Sequence, residues 1–443
     1  MPRIRKPLEP FWQTTDGSTV QLYQGDVIDV LRRLPAGSVQ CVVTSPPYWG
    51  LRDYGTAAWE GGDEGCDHRL KHGKRQGNPE FNKNRPSREL TAMGGDYPKL
   101  ICPRCGAHRI DQQIGSERTP DEYVAKLVAV FREVRRVLRD DGTVWLNMGD
   151  CFGPKLGMKK KGVAGIPHKL VFALEDNGWI HAMEHIWHKP NPMPESAGNR
   201  CTKAHEYLFL LTKKLRYFYD TEAIREPLTK CNAQRTTNHY CTTGRGPKDG
   251  GNTGLDGLAA RMRSGLHTGR NKRSVWTIAT QGYPGAHFAT FPPKLVEPCI
   301  KAGTSERGCC EECGSPWVRV VETTALKRSR PNDYVKRKGE AGTGNSCANS
   351  VAGVDVKTLG WEPTCKCNAG VVPCTVMDIF VGSGTTCCVA LDKGRRSIGI
   401  DLSEAYLRDN AVVRIEGELL ARPALARLAG KATKKLRIGR ELT

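Results

Sequence analysis

The run Val39-Gln40-Cys41-Val42-Val43-Thr44-Ser45-Pro46-Pro47-Tyr48-Trp49 constrains this chain more than any other stretch. Val39 to Val43 reads as a short buried strand. Two consecutive prolines then stop any ladder or helix, because neither has an N–H to donate and both have a fixed φ. The product is a stiff loop at the carboxyl end of a strand, where open α/β sheets bind ligands. It offers a hydroxyl, proline carbonyls that need partners, and flat rings for stacking. Such a loop suits a planar group bearing an NH₂.

The neighbouring segments fit a doubly wound sheet. Val20 to Tyr23 alternates as a strand, Gly25-Asp26 turns it, and Val27 to Leu34 reads as a short helix before the strand at 39–43. Thr119-Pro120-Asp121-Glu122 carries a helix start with a capping box. Val124, Leu127, Val128, Phe131, Val134 and Leu138 follow helical spacing, with Gly142 as the stop. Thr143 to Asn147 is the next strand. A helix from Pro167 through Leu174 and strands at Met183–Trp187, His205–Leu211 and Ser274–Ile278 follow.

Near the end of the chain, Thr375 to Phe380 reads as an apolar strand, and the loop Val381-Gly382-Ser383-Gly384-Thr385-Thr386 leads into a helix. Glycine lets backbone approach a ligand closely, and the helix start offers free N–H groups. Asp401 ends the following strand, about 20 residues on, the usual place of a carboxylate that binds ribose hydroxyls. A tight turn of any α/β fold is the plain alternative, but the strand context and Asp401 favour a nucleoside cofactor. Cys387 stands where a dinucleotide fingerprint has its third glycine, and no Gly-Lys-Ser/Thr follows as in a Walker loop.

Ser45-Pro46-Pro47-Tyr48 joined to Asp378-Ile-Phe-Val-Gly-Ser-Gly-Thr-Thr386 resembles the DNA amino-methyltransferases, which methylate cytosine-N4 or adenine-N6 with S-adenosylmethionine. In that family the first motif is Asp/Asn/Ser-Pro-Pro-Tyr/Phe and the second is typically Asp-Pro-Phe-x-Gly-Ser-Gly-Thr-Thr; here Ile379 replaces the proline. The catalytic loop first and the cofactor loop last resembles the permuted β group. The resemblance covers roughly 19–55, 119–220, 274–302 and 375–415. It includes Trp187 to Pro194 and His205 to Lys213, which look like segments shaping the base pocket, and His287 to Pro293, which looks like the stretch closing over methionine.

The resemblance implies a Rossmann-like methyltransferase sheet with S-adenosylmethionine as cofactor. It assigns catalysis to Ser45, Pro46, Pro47 and Tyr48. It assigns cofactor binding to Asp26, Asp378, Phe380, Gly382, Ser383, Gly384, Thr385, Thr386 and Asp401, with Asp26 reaching the adenine and Phe380 beside it. Asp26 is equally readable as an ordinary turn aspartate. An exocyclic amine is a poor nucleophile because its lone pair is delocalised into the ring. Hydrogen bonds from the NH₂ to the Ser45 hydroxyl and the Pro46 carbonyl would favour a tetrahedral nitrogen with a directed lone pair. The target base must be flipped out of the duplex and held by stacking, here on Tyr48. Serine at position 45 tilts the reading to cytosine-N4, because aspartate is the commoner choice in adenine enzymes.

Lys+Arg 67 against Asp+Glu 47 gives a net charge of +20, which favours double-stranded DNA as partner, although a solvated basic surface would read the same. No apolar run approaches a membrane span and no secretory signal opens the chain, so the expected setting is cytoplasmic. The 18 cysteines fall partly in C-x-C and C-x-x-C pairs, which points to metal rather than disulfides. Cys66, His68, Cys102 and Cys105 form one candidate site, and Cys310, Cys313, Cys365 and Cys367 another; each donor set suits a closed structural zinc. His108 and Cys309 are rival ligands, and free buried cysteines are the plain alternative.

The expected division is 1–55 (start of the core with the Ser-Pro-Pro-Tyr loop), 56–118 (zinc-binding insertion), 119–220 (core), 221–274 (target recognition, or a flexible linker), 275–302 (core), 303–373 (second zinc-binding insertion), 374–421 (cofactor-binding core) and 422–443 (basic tail). The middle of the second insertion, about 326–360, reads as loosely structured. The leading function is a site-specific DNA methyltransferase, with a cognate restriction endonuclease as a further partner. Adenine-N6 methylation, an RNA-directed enzyme and a zinc-containing DNA-binding protein with an inactive core stand as alternatives.

Overall fold

The structure, a computed structural model, describes residues 8–16, 19–50, 58–63, 65–66, 101–102, 104–110, 113–117, 119–152, 162–227, 269–282, 290–325 and 354–421. His68, most of 56–118 and of 221–274, the segment 283–289 with His287, the stretch 326–353 and the tail 422–443 lie outside the described residues. The chain forms two compact units. One comprises Met1–Phe218, Ser274–Glu306 and Pro373–Thr443; the other comprises Tyr219–Arg273 and Arg307–Val372.

In chain order the first elements are β1 (Trp12–Gln13), β2 (Val20–Gln24), α1 (Val27–Arg33), β3 (Val39–Thr44), β4 (Ala58–Glu60), β5 (His108–Ile110), α2 (Pro120–Val137), β6 (Leu138–Met148), α3 (Ile166–Asp176), β7 (Ile180–His188) and β8 (His205–Thr212). After these come β9 (Glu226–Pro227), β10 (Gly269–Arg270), β11 (Val275–Thr277), α4 (Pro293–Gly303), β12 (Cys309–Cys310), β13 (Trp317–Ala325), β14 (Val354–Pro363) and β15 (Val371–Val372). The chain closes with β16 (Thr375–Asp378), α5 (Thr385–Asp392), β17 (Arg396–Asp401), α6 (Glu404–Tyr406), a π-turn (Leu407–Val412) and α7 (Val413–Leu420).

The first unit is built on a nine-stranded sheet in the order β1-β2-β17-β16-β3-β6-β8-β7-β11. β2, β17, β16, β3 and β6 run parallel, and β8 runs antiparallel to both its neighbours. The last strands of the chain thus fill the middle of the sheet. Every residue of β3 is buried, as a parallel strand covered on both faces requires. Val42, Val144 and Leu146 face a core shared with α1, α2 and α3. The alternate positions Cys41, Thr143 and Trp145 face α4, while α5 and α7 cover β2 through Cys387, Leu391, Ile415 and Leu419. The result is a three-layer α/β/α arrangement.

Most expected elements form close to their expected bounds, and the Thr119–Glu122 capping box is complete. Three details differ. Gly142 does not stop α2, because α2 ends at Val137 and the chain enters β6 at once. Gly142 instead lies within the strand, where a Cβ would come within 2.7 Å of Leu138 and 2.8 Å of the Gln40 carbonyl. The strand before the glycine loop ends at Asp378, not Phe380. In the second insertion, residues from 354 onward form β14, which pairs with β13 through a bulge at Val320/Val321.

In the second unit, Arg319 holds Asp220 at 3.0 and 3.2 Å and lays its guanidinium 4.4 Å from the Trp361 ring centroid. β12 pairs with β15, and β9 with β10.

Gly303 is a close contact of α4 with the sheet, alongside Cys299, whose carbonyl meets Cys41 Sγ. A Cβ there would come within 2.5 Å of Thr143 Oγ1 and 2.7 Å of Cys41 Sγ. Overpacking of this kind costs about 1–3 kcal/mol. Gly303→Ala is expected to lower the urea-unfolding free energy by about that amount, and unchanged stability would show that α4 stands off from the strands.

Candidate active site

The carboxyl ends of β2, β17, β16, β3 and β6 share one edge of the sheet. Thr44 ends β3 and Asp378 ends its neighbour β16. Asp378 is 1% exposed and binds both motif loops at once. Its Oδ1 accepts from Thr44 Oγ1 at 2.7 Å and from the Phe380 N–H at 3.1 Å; its Oδ2 accepts from Thr386 Oγ1 at 2.7 Å. Thr44 leads directly into Ser45, and Thr386 lies in the first turn of α5. Burial pushes the Asp378 carboxyl up to about 6, against the pull of these hydrogen bonds.

Gly382 and Gly384 both take left-handed backbone, with φ of +48° and +78°. Side-chain Cβ atoms differ in effect at the two. At Gly384 one would press within 3.2 Å of Ala411 in the π-turn; at Gly382 the nearest atom would be the Phe380 carbonyl oxygen 3.9 Å away, so the loop is open there. Asp401 accepts from the Gly382 N–H at 3.0 Å and the Ser403 N–H at 2.9 Å, and burial raises its carboxyl. Ser383 and Thr385 turn their hydroxyls inward to Arg414, whose Nη1 is 3.3 and 2.7 Å from them. Of the residues expected at the cofactor, Asp378, Ser383, Thr385 and Thr386 therefore have side chains that build the loop. What the loop leaves open is Gly382 and the half-buried Asp401 and Phe380. These fit a nucleoside bearing ribose hydroxyls. Asp26 caps α1, accepting from Ile28 and Asp29 N–H at 2.9 and 3.2 Å, in keeping with the reading of a turn aspartate.

The Ser-Pro-Pro-Tyr loop is fixed at each side. Pro47 O accepts from Tyr123 Oη at 2.9 Å, so this carbonyl is already satisfied. Trp49 is 1% exposed and donates to Glu117 O at 2.9 Å. It is a core residue, which corrects the expectation that both rings of the loop serve for stacking. Tyr48 is anchored by its hydroxyl, which donates to Glu206 Oε2 at 2.8 Å and lies 3.3 Å from Asn147 Oδ1. Ser45 Oγ donates to Tyr48 Oη at 3.4 Å. Asn147 Nδ2 donates to Glu206 Oε2 at 3.1 Å, and Lys189 pairs with Glu206 Oε1. Gly149 lies against the Tyr48 ring, where a Cβ would come within 2.8 Å of Cε2.

Glu206, Asn147, Lys189 and Arg414 are absent from the residues singled out by sequence. Glu206 and Lys189 lie in segments that resemble the family's base-pocket stretches, which was the available signal. Arg414 gave none, because its partners Ser383 and Thr385 lie 31 and 29 positions earlier in the chain.

Both cysteine groups assemble. Cys310, Cys313, Cys365 and Cys367 place their sulfurs within 4.8 Å of one another, as do Cys66, Cys102 and Cys105. The two C-x-x-C turns share one hydrogen-bond pattern. Gly106 N donates to Cys102 O and Cys102 N to Ala107 O; Gly314 N donates to Cys310 O and Cys310 N to Ser315 O. Gly106 and Gly314 both take positive φ, +75° and +70°. Cys309 directs its thiol to the Val372 carbonyl instead.

The Asp378 geometry sets a pH dependence. Its carboxyl has an ordinary value of 3.8 and a folded value of about 6. Between these the folded protein keeps a proton that the unfolded chain has lost, so the group's contribution to stability falls as pH rises through the window. The difference in unfolding free energy between the natural protein and Asp378→Asn is expected to shrink from about pH 4 to about pH 6 and then level off. A constant difference would show that Asp378 is ionised throughout.

A family model described as DNA methylase, of the N6/N4 methyltransferase type, matches residues 39–310 and 374–412. The chain is 32% identical to the Type II methyltransferase M.XycI of Xanthomonas campestris pv. cyanopsidis, over 94% of this chain and 93% of the relative. It is 30% identical to the Type II methyltransferase M.Cfr9I of Citrobacter freundii, over 90% and 88%. Among solved structures, the PvuII DNA methyltransferase (cytosine-N4-specific) aligns over 96% of this chain and 95% of its own, with a TM-score of 0.47 and 14% identity. Among the described residues no helix is long and apolar enough to cross a membrane. The chain belongs to the S-adenosylmethionine-dependent amino-methyltransferases of DNA, in the permuted β arrangement, and is a Type II DNA methyltransferase of the N4/N6 family.

Proposed function

We propose that the enzyme methylates the N4 amino group of cytosine at a specific site in duplex DNA. The observation that carries this reading is Ser45, a neutral hydroxyl at the mouth of β3 where adenine enzymes more commonly hold aspartate. When bound, S-adenosylmethionine supplies an electrophilic sulfonium methyl group. Gly382, Gly384, Phe380 and Asp401 are the residues that would hold it, with Asp378, Ser383, Thr385 and Thr386 shaping the loop behind them and Asp26, which caps α1 through Oδ1, as a further contact. Ser45 Oγ and the Pro46 carbonyl accept the two amino hydrogens of the flipped base. This directs the nitrogen lone pair, and catalysis is mainly positioning. The Pro47 carbonyl accepts from Tyr123 Oη, which fixes the loop in place. Tyr48, fixed through its hydroxyl, offers its ring for stacking.

Nucleoside analysis of duplex DNA methylated by the purified enzyme is expected to give N4-methylcytosine. N6-methyladenine as the product would overturn the assignment of the base. Ser45→Ala is expected to lower the single-turnover rate at least ~100-fold, the usual scale for a lost catalytic hydrogen-bonding group, and a rate within twofold of the natural enzyme would remove Ser45 from the chemistry.

We further assign structural zinc to the two cysteine groups. A tetrahedral zinc with Zn–S bonds of about 2.3 Å sets its sulfurs about 3.8 Å apart, and Cys66 and Cys102 lie 3.8 Å apart. Cys310, Cys313, Cys365 and Cys367 supply a full set of four; Cys66, Cys102 and Cys105 supply three, and His68, which lies outside the described residues, is the sequence's candidate for the fourth. Zinc would let these polar insertions fold with little apolar core. Target recognition is assigned to residues 221–274, whose Arg, Lys and Asn side chains suit phosphates and base edges. A cognate restriction endonuclease is the partner this reading implies. Elemental analysis of protein purified without chelators is expected to give two zinc ions per chain, falling by one in Cys313→Ser. No zinc in either sample would refute the assignment.

A further inference from the structure

Glu206 has no part in the chemistry described so far, yet it is the hub of the polar network beneath Ser45. Its side chain is 14% exposed. One carboxylate oxygen pairs with Lys189 Nζ at 2.5 Å. The other accepts from Tyr48 Oη at 2.8 Å and from Asn147 Nδ2 at 3.1 Å. The site is built to keep this arrangement. Asn147 Nδ2 is also tied to the Tyr207 carbonyl at 3.1 Å. Lys189 lies 4.4 Å from the Trp187 ring centroid. Gly149 leaves no room for a side chain between Tyr48 and Glu206, since its Cβ would lie 2.8 Å from the ring and 3.4 Å from the Glu206 carboxyl carbon.

The network has a direction. A carboxylate paired with a lysine only accepts, so the Tyr48 hydroxyl must give its one proton to Glu206. Burial and the neighbouring Glu206 charge push the Tyr48 phenol well up, so it holds that proton. With its proton committed, Tyr48 Oη can only accept from Ser45, whose Oγ is 3.4 Å away. Hydrogen bonds of this kind are commonly long before substrate arrives and tighten in the complex. Ser45 has a single hydroxyl proton. Once it points to Tyr48, both Ser45 lone pairs face outward as acceptors. A serine left free to rotate would present its proton to the substrate nitrogen part of the time, and so compete for the lone pair that must attack.

We propose that Glu206 is a positioning residue that acts through Tyr48 to fix the Ser45 hydroxyl as an acceptor toward the substrate amino group. This inference rests on the amino-methyltransferase reading of Ser45 above. It adds a chain of defined polarity: the amino N–H donates to Ser45, Ser45 to Tyr48, and Tyr48 to Glu206. In Glu206→Gln the amide NH₂ can donate to Tyr48 and free its proton, so the polarity is lost while the shape is kept. Tyr48→Phe keeps the ring for stacking and removes the link.

The test is a double-mutant cycle on the single-turnover methyl-transfer rate with duplex DNA, using the full chain, with dissociation constants for S-adenosylmethionine and DNA measured in parallel. Glu206→Gln and Tyr48→Phe are each expected to slow the rate 10- to 100-fold with both dissociation constants within twofold of the natural enzyme. The double variant is expected to be no slower than the slower single one, because both changes break one chain. Effects that multiply would overturn the proposal, as would a Glu206→Gln rate within twofold of the natural enzyme. Loss of binding together with rate would also overturn it, since it marks a merely structural role. Should Glu206→Gln not fold, Lys189→Gln provides the second approach; it leaves the carboxylate in place and is expected to slow the rate less than Tyr48→Phe. Ser45→Ala separates the two readings. If it abolishes transfer while Glu206→Gln does not, only the positioning role fails; if Ser45→Ala is active, the amino-methyltransfer geometry itself fails.

Discussion

The candidate active site depends on one buried carboxylate at the end of β16. Asp378 ties the residue before the Ser-Pro-Pro-Tyr loop to the first turn of the helix after the glycine loop. Those two segments lie more than three hundred positions apart in the chain, with |i−j| of 334 for the Thr44 contact. A carboxylate in such a place is costly, and its raised pKa reports that cost. Three donors aimed at it offset the desolvation. The gain is geometric: the Ser-Pro-Pro-Tyr loop and the glycine loop share a buried anchor, with Thr386 also donating to the Val43 carbonyl. Methyl transfer rests on alignment rather than on a reactive side chain, and alignment is what such an anchor secures.

The glycine loop shows the same division between scaffold and contact. Its hydroxyls turn inward, to Asp378 and Arg414, and leave Gly382 open. The π-turn at Leu407–Val412 is part of this. It brings Ala411 against Gly384 and seats Arg414 beneath the loop. Irregular helix turns of this type are frequent at functional sites, because they reposition side chains that a regular helix would aim elsewhere.

Much of this was legible in the sequence, and the reasons are local. The strand at Val39, the proline pair, the capping box at Thr119 and the glycine loop each carry their signal within a few residues. The parts that were not legible depend on distant contacts. Trp49 reads as a stacking ring beside Tyr48, but the fold buries it and places its indole N–H on Glu117. Gly142 reads as a helix stop, yet Leu138 already starts the strand, and the glycine is there for the close approach of Gln40. Glu206 looks like one polar residue opening a strand until β8 pairs with β6 and brings it beside Asn147 and Tyr48. The cysteine pairs were readable from spacing, and their shared turn geometry came only with coordinates.

The strand order has a consequence for how the protein is made. β16 and β17 fill the centre of the sheet, pairing with β3 on one side and β2 on the other. Among the described residues they are also the last strands in chain order. Without them β2 and β3, though near neighbours in sequence, have no hydrogen-bonded link between them, and each presents an open edge toward the gap. Unpaired edges of this kind invite wrong pairing. The Ser-Pro-Pro-Tyr loop thus depends for its anchor on a residue 334 positions further along the chain. The two loops can share the Asp378 contact only once residues 375–401 have taken their place between β2 and β3.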